Sequence, residues 1–276
     1  MKRFAGANLW APISLLVGLS VGIMIGRSRG IPFVTTAEQW TIGIYTGDNP
    51  FDLSAPFWRW NPVLDHTDVT DARARFVADP FLWEEDGEWH LFFEYYNNRT
   101  GQGDLAVASS RNARRWTYEG TVLDEPFHLS YPYVFEWQGD HYMIPETFEA
   151  NSIRLYRAVD FPMKWALEGT LIEGRDYVDP SIVRYRDDWW LFAATTSNDT
   201  LHLFHADALE GPWEEHPASP IVRGDNRRAR PGGRPLVYED RLYRVAQNVD
   251  PPSEWLPAPV TNVDPLMVWA YEVTTL

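Results

Sequence analysis

The chain has 276 residues, a formal net charge of −15 and no cysteine. Such a charge leaves no basic surface to displace counterions from a phosphate backbone, so nucleic acid is excluded as a partner. Disulfides, thiolate metal sites and thiol nucleophiles are excluded with the cysteines.

Residues 1–8 are short and basic, and residues 9–26 then run for 18 positions without a charge, closed by Arg27 and Arg29. A helix of that length spans a bilayer core. It is long for a signal peptide and no small-x-small cleavage site comes after it, so an uncleaved signal anchor is favoured over a removed peptide. The expected division is an anchor over 1–30, a linker over 31–37 and one domain over 38–276, on the non-cytoplasmic side of the membrane. Residues 40–45 alternate like a strand, and residues 61–64 resemble the strand that closes later units, so 38–65 read as the last two strands of a blade.

From Phe76 onward one sentence is written four times. Asp79-Pro80 opens a strand, a turn comes at Asp86-Gly87, and a second apolar strand ends at Glu94. Tyr131, Asp179 and Arg234, each before a proline, open the later copies at intervals of 52, 48 and 55 residues. In the first three copies the closing residue falls 15 after the opening one, at Glu94, Glu146 and Ala194; the fourth closes at Gln247. A period near 50 with about four short strands per unit predicts an all-β, five-bladed β-propeller. Units are expected over 76–123, 131–172 and 179–222, with a fourth opening at Arg234 and using 267–274 as its third strand. A Trp starts each fourth strand (Trp116, Trp165, Trp213). The fifth blade is left short of strands.

In a propeller, equivalent positions of successive units converge at one mouth. Asp79, Tyr131, Asp179 and Arg234 should therefore share a ring, with Glu94, Glu146, Ala194 and Gln247 one strand outward. Carboxylates so gathered perturb one another and divide into acid and base roles, as glycoside cleavage requires. Asp79, Glu146 and Asp179 are the catalytic candidates; each also has a structural reading, since a carboxylate at a strand start caps backbone N–H groups. Glu94 precedes Tyr95-Tyr96-Asn97-Asn98, expected to form a loop that solvates it. His128 and Tyr131 lead into the mouth, where they bind sugar hydroxyls or hold a blade-joining turn. Arg230 and Arg234 suit an anionic ligand or neutralise the acidic ring. His202 and His205 lie three apart on a strand, on opposite faces, and make a poor metal pair. No metal or cofactor motif is found.

The runs FVADPF, HLSYPYVFEW with YMIPET, IRLYRA, GPWEEHPASPI and ARPGGR closely resemble the N-terminal domain of plant glucosamine inositolphosphorylceramide transferase and its bacterial relatives, over roughly residues 40–247. In the plant enzyme that domain precedes a glycosyltransferase domain, so transfer activity does not carry over with the likeness; a separate glycosyltransferase is the partner it implies. More remotely the domain is similar to five-bladed glycoside hydrolases of the arabinanase and invertase type. That comparison implies an aspartate base, matched by Asp79, and a later aspartate that tunes pKa, matched by Asp179. Those enzymes place the acid glutamate after the second aspartate, where this chain has Arg234 and Gln247, and its own candidate, Glu146, comes before. Two readings stand together: a hydrolase or transglycosylase acting on a glycan or glycolipid head group, and a non-catalytic sugar-binding or scaffolding module.

Overall fold

Short alternating runs between Gly-bearing turns fold into antiparallel strands. The structure is a computed structural model that describes residues 40–54 and 61–249, and it is all-β; a 3-10 turn at Phe148–Ala150 is the one helical piece among the described residues. The first sheet holds β1 (Ala74–Glu85), β2 (Glu88–Asn97), β3 (Gln102–Ser110) and β4 (Thr117–Leu123), side by side in chain order. The second repeats this with β5 (Ser130–Trp137), β6 (Asp140–Glu146), β7 (Ser152–Asp160) and β8 (Lys164–Glu173). The third consists of β9 (Tyr177–Tyr185), β10 (Asp188–Thr195), β11 (Leu201–Ala206) and β12 (Glu214–Glu215). A hairpin of β13 (Leu236–Tyr238) and β14 (Arg241–Tyr243) comes last. Three successive four-stranded meanders are the blades expected of a propeller-like fold.

The β1–β2 turn shows why the repeat begins as it does. Asp86 and Gly87 both have positive φ, at 52° and 77°, the conformation of a tight hairpin turn that matches strand twist. Gln138-Gly139 repeats it between β5 and β6, with φ of 55° and 85°. Beyond the turns, one apolar core runs through all three sheets, with Phe92, Tyr133, Ile144, Tyr156, Ile182 and Leu191 among its members. Trp165 and Trp213 pack against that core, while Trp116 packs against a second cluster in the first sheet. Ile42 and Leu64 join this second cluster beside Val77, Leu91 and Phe93.

Three boundaries differ from expectation. Residues 40–45 form no continuous strand; an antiparallel bridge joins Ile42 to Leu64, a second joins Thr46 to Ser54, and the Asn61 side chain clamps both backbone groups of Ile44 at 3.0 Å. The closing strand expected over 213–222 shrinks to Glu214–Glu215 plus a bridge between Leu201 and Val222, because Pro212, Pro217 and Pro220 bring no N–H to the ladder. Tyr95, Tyr96 and Asn97 belong to β2 rather than to a loop. The expected strand at 267–274 and the uncharged run at 9–26 lie outside the described residues. Among the described residues no helix is long and apolar enough to cross a membrane.

Candidate functional site: a ring of buried carboxyls

The first three opening residues share one backbone device. Asp79, Tyr131 and Asp179 each have φ of 50°, a left-handed conformation that residues with side chains avoid. Each sits at a break in pairing: the register shifts between Ala78 and Phe81 on β1, between Ser130 and Tyr133 on β5, and between the partners of Phe192 and Ala194 on β9. The proline after each opener has no N–H to place, and the bulge turns the opener's own N–H away from its neighbour strand. Those N–H groups still need acceptors. Tyr131 N donates to Asp79 Oδ2 at 3.0 Å, and Asp179 N donates to Glu146 Oε2 at 3.0 Å. A carboxylate of each unit thus holds the next unit's bulge. Closing residues keep matched register as well, with Glu94 opposite Ala78, Glu146 opposite Ser130 and Ala194 opposite Val178.

Around this staple lies a cluster closed to solvent: Asp79, Glu94, Glu146 and Asp179 are 3%, 5%, 3% and 0% exposed. Arg230 grips Asp179 from two sides, Nε to Oδ2 at 2.5 Å and Nη2 to Oδ1 at 3.2 Å, and its Nη2 lies 3.8 Å from Glu146 Oε2. Gln247 Nε2 adds a bond to Asp179 Oδ2 at 2.8 Å and another to the Pro231 carbonyl at 2.8 Å. Burial works against the Arg230 cation, yet Asp179, Glu146 and Asp79 together outweigh it and hold the guanidinium charged. Arg230 also offsets part of the charge at Asp79, Glu94 and Glu146, but burial outweighs it there. Burial, then the charges of Glu94 and Asp179, raises Asp79 well above the usual carboxylate range. Glu94 is pushed up to about 8 by burial and by Asp179. Burial and Asp179 likewise raise Glu146. All three shifts favour the protonated form of these carboxyls. Asp79 Oδ1 is buried and has no hydrogen-bond partner.

The predicted residues divide into two groups. Asp79, Glu94, Glu146, Asp179, Arg230 and Gln247 come together as one electrostatic unit. Glu94 is not solvated by the residues after it, since β2 continues to Asn97 and buries its carboxyl. His128 serves the turn: its Nδ1 accepts the Gly103 N–H at 2.9 Å and its own N–H donates to Glu149 Oε2 at 2.8 Å. The ring proton is then on Nε2, 3.7 Å from Glu94 Oε1, and burial lowers the His128 pKa. Tyr131 is buried too, its hydroxyl meeting Ser181 Oγ at 2.8 Å and accepting the Gly233 N–H at 2.7 Å. Arg234 reaches back to the second sheet: Nη2 donates to the Val134 carbonyl at 2.6 Å and the guanidinium lies 4.9 Å from the Tyr133 ring centre. His202 Nδ1 pairs with Glu215 Oε1 at 2.6 Å, apart from this cluster. No group of three or more His, Asp or Glu among the described residues is placed to hold a metal.

Sequence reasoning missed Gly103, Ser181 and Asn198. A Cβ on Gly103 would lie 2.6 Å from Glu94 Oε1 and 2.8 Å from His128 Cε1, so only glycine lets those two approach. Ser181 comes directly after the Asp179-Pro180 pair, and Asn198 accepts from Arg230 Nη1 at 3.3 Å. Only the folded geometry shows what these residues meet.

Glucosamine inositolphosphorylceramide transferase 1 of Oryza sativa subsp. japonica is 38% identical over 244 residues, covering 80% of this chain and 33% of its own length. The Arabidopsis thaliana protein of the same name is 36% identical over 232 residues, with coverage of 76% and 30%. The chain spans about a third of the length of these curated relatives. Among solved structures, an exo-beta-1,3-galactanase from Phanerochaete chrysosporium in complex with beta-1,3-galactotriose superposes with a TM-score of 0.57 at 16% identity, over 72% of this chain and 48% of that one, a likeness of fold alone. The family model described as glucosamine inositolphosphorylceramide transferase 1, N-terminal, matches residues 35–254, and the chain belongs to that family.

Proposed function

We propose that the domain is a sugar-binding module that receives a glycan or glycolipid head group at the ring of buried carboxyls and serves a separate glycosyltransferase. The observation that carries this is the way the ring's charges are used. Asp179 is committed to Arg230 and Gln247, and Glu146 gives one oxygen to the Asp179 N–H. Asp79 is left with a buried oxygen that lacks a hydrogen-bond partner, and a sugar hydroxyl supplies one. Ordinary hydrolysis needs a protonated acid beside an ionised base. Here both Asp79 and Glu146 are pushed toward the protonated form. The names of the curated relatives, which carry glucosamine and inositolphosphorylceramide, make head groups of that kind the first ligands to try.

The same reading takes the protein as a five-bladed propeller held at the membrane by residues 9–26, with its domain on the non-cytoplasmic side. The uncharged run supports the anchor. The pairing of Ile42 with Leu64 beside the first sheet, and the β13–β14 hairpin after the third, support further blades on either side of the three complete sheets. A second reading, a hydrolase or transglycosylase with Glu146 as acid, Asp79 as base or nucleophile and Asp179 as modulator, is favoured by the upward push that burial gives Glu146. One experiment separates the two. The full chain and its Asp79→Asn variant are screened against a panel of glycans for binding by ligand-observed NMR and for release of reducing sugar. Binding without turnover is expected, weakened by the substitution. Turnover abolished by Asp79→Asn would establish the enzymatic reading, and absence of binding to every glycan would overturn the module.

A further inference from the structure

The carboxyl ring is closed to solvent, and at Glu94 a single side chain provides the cover. Both main-chain groups of Gly103 on β3 turn to the link between β4 and β5: its N–H donates to His128 Nδ1 at 2.9 Å and its carbonyl accepts the Leu129 N–H at 2.9 Å. The His128 side chain is 21% exposed, with Nε2 3.7 Å from Glu94 Oε1, and the Glu94 side chain is 7% exposed. A Cβ on Gly103 would meet Glu94 Oε1 at 2.6 Å and His128 Cε1 at 2.8 Å, so the three residues pack without a gap. Nδ1 accepts the Gly103 N–H only while it carries no proton. In the imidazolium both nitrogens are donors, and Nδ1–H would face the Gly103 N–H donor to donor.

We propose that His128 is an acid-released gate over the carboxyl ring: the neutral imidazole accepts the Gly103 N–H and covers Glu94, and the protonated one gives up that bond and turns outward. The groups facing the imidazole set its direction. Burial disfavours the cation where it stands, Arg230 opposes it as well, and Glu149 and Asp104 favour it. Glu94 on β2 is pushed upward by burial and favours its neutral form over the range in which an imidazole titrates, so it offers the cation little. Asp104 on β3 already accepts from Asn97 Nδ2 at 3.0 Å and Gln102 Nε2 at 3.2 Å. Glu149, on the 3-10 turn, is exposed and holds the His128 main-chain N–H at 2.8 Å, which makes it the anion that an outward-turned imidazolium meets. The Phe148 ring, 5.8 Å away on the same turn, brings no charge. Leu129, fully buried in the core, keeps the main chain in place while the side chain turns. The gate rests on the sugar reading for its purpose alone, and its experiment contains no sugar, so the two fail separately.

The test is amide hydrogen exchange on the full chain at pH 7.5 and pH 5, resolved to single residues by mass spectrometry and corrected for the intrinsic pH dependence of exchange. Protection of the Gly103 amide is expected to drop several-fold at the lower pH, up to about tenfold, as the loss of one hydrogen bond implies. The Leu129 N–H, bonded to a carbonyl, should keep its protection. His128→Asn puts an acceptor oxygen where Nδ1 stands but does not titrate, and should hold Gly103 protected at both pH values. Carbodiimide labelling of Glu94 at pH 5, measured against the exposed Asp207, should be several-fold greater in the parent than in His128→Asn. Equal protection of Gly103 at both pH values in the parent overturns the gate, whether or not the variant folds. A loss that persists in His128→Asn overturns it too, as does a loss shared by Gly103 and Leu129, which would mean that the whole link unfolds. Glu94 labelling alike in parent and variant overturns the cover over the carboxyl ring.

Discussion

Replacing Arg230 with methionine removes the cation from Asp179 but keeps an aliphatic stem of similar reach. Asp179 is fully buried, and its remaining side-chain partner would be Gln247 at 2.8 Å. Breaking a buried ion pair by deleting one member costs about 3–5 kcal/mol, because the survivor is left charged and dry. The Arg230 side chain is 23% exposed, so water already reaches part of the pair and the lower figure, about 3 kcal/mol, applies. For a domain of this length, that corresponds to a fall in Tm of about 6–12 °C. Thermal and urea melts of Arg230→Met, Asp179→Asn and the double variant measure it. Neutralising Asp179 in the Arg230→Met background should recover stability, with a coupling energy of about 1–3 kcal/mol across the cycle. A cost below about 1 kcal/mol for Arg230→Met, or strict additivity of the two changes, would refute the claim that the ring is held together by this pair.

Stability should fall as pH rises. Glu94 is raised in the folded state to about 8, so its contribution is complete below the unfolded carboxylate range and is lost as pH climbs toward 8. Asp79 and Glu146 are raised too and act with the same sign. Urea denaturation between pH 5 and pH 8 should show Glu94→Gln with a flatter dependence than the parent, by up to about 1.4 kcal/mol per pH unit for its single proton; an unchanged slope would mean that Glu94 is ionised. Gly103→Ala places a Cβ 2.4 Å from the Leu129 carbonyl oxygen and 2.6 Å from Glu94 Oε1, and should cost about 1–3 kcal/mol by overpacking; a silent variant in thermal melts would rule out the close approach of Glu94 and His128. Tyr131→Phe strips the hydroxyl that joins Ser181 to the Gly233 N–H, and should cost about 1–3 kcal/mol in the same assay; no measurable loss would mean that water replaces it freely.

The repeat spacing was legible because the hairpin grammar is local. Asp86-Gly87 and Gln138-Gly139 specify tight turns by their own φ, and the apolar runs on either side fall into place around them. Convergence was legible for the same reason: matched positions in equivalent units must meet, and Asp79 does reach Tyr131 across 52 residues. The partner of each polar group was beyond the reach of sequence. Arg230 and Arg234 look alike in the string ARPGGR, yet one is drawn onto Asp179 and the other onto a Val134 carbonyl and a Tyr133 ring. Glu94 looked solvated because two tyrosines and two asparagines come after it, but strand pairing carried β2 on to Asn97 and sealed the carboxyl inside. The short β12 was visible only in hindsight, through prolines that read equally well as a loop or an edge strand.

The bulge staple has an implication for how such a ring changes over time. Asp79 and Glu146 each clasp a main-chain amide of the next unit, and every residue type except proline offers that amide. Tyrosine at 131 and aspartate at 179 are both fastened in this way, whatever their side chains. The burden falls on the clasping side: a lineage can rewrite the clasped side chain and keep the joint, whereas changing Asp79 or Glu146 alters the joint and the ring at once.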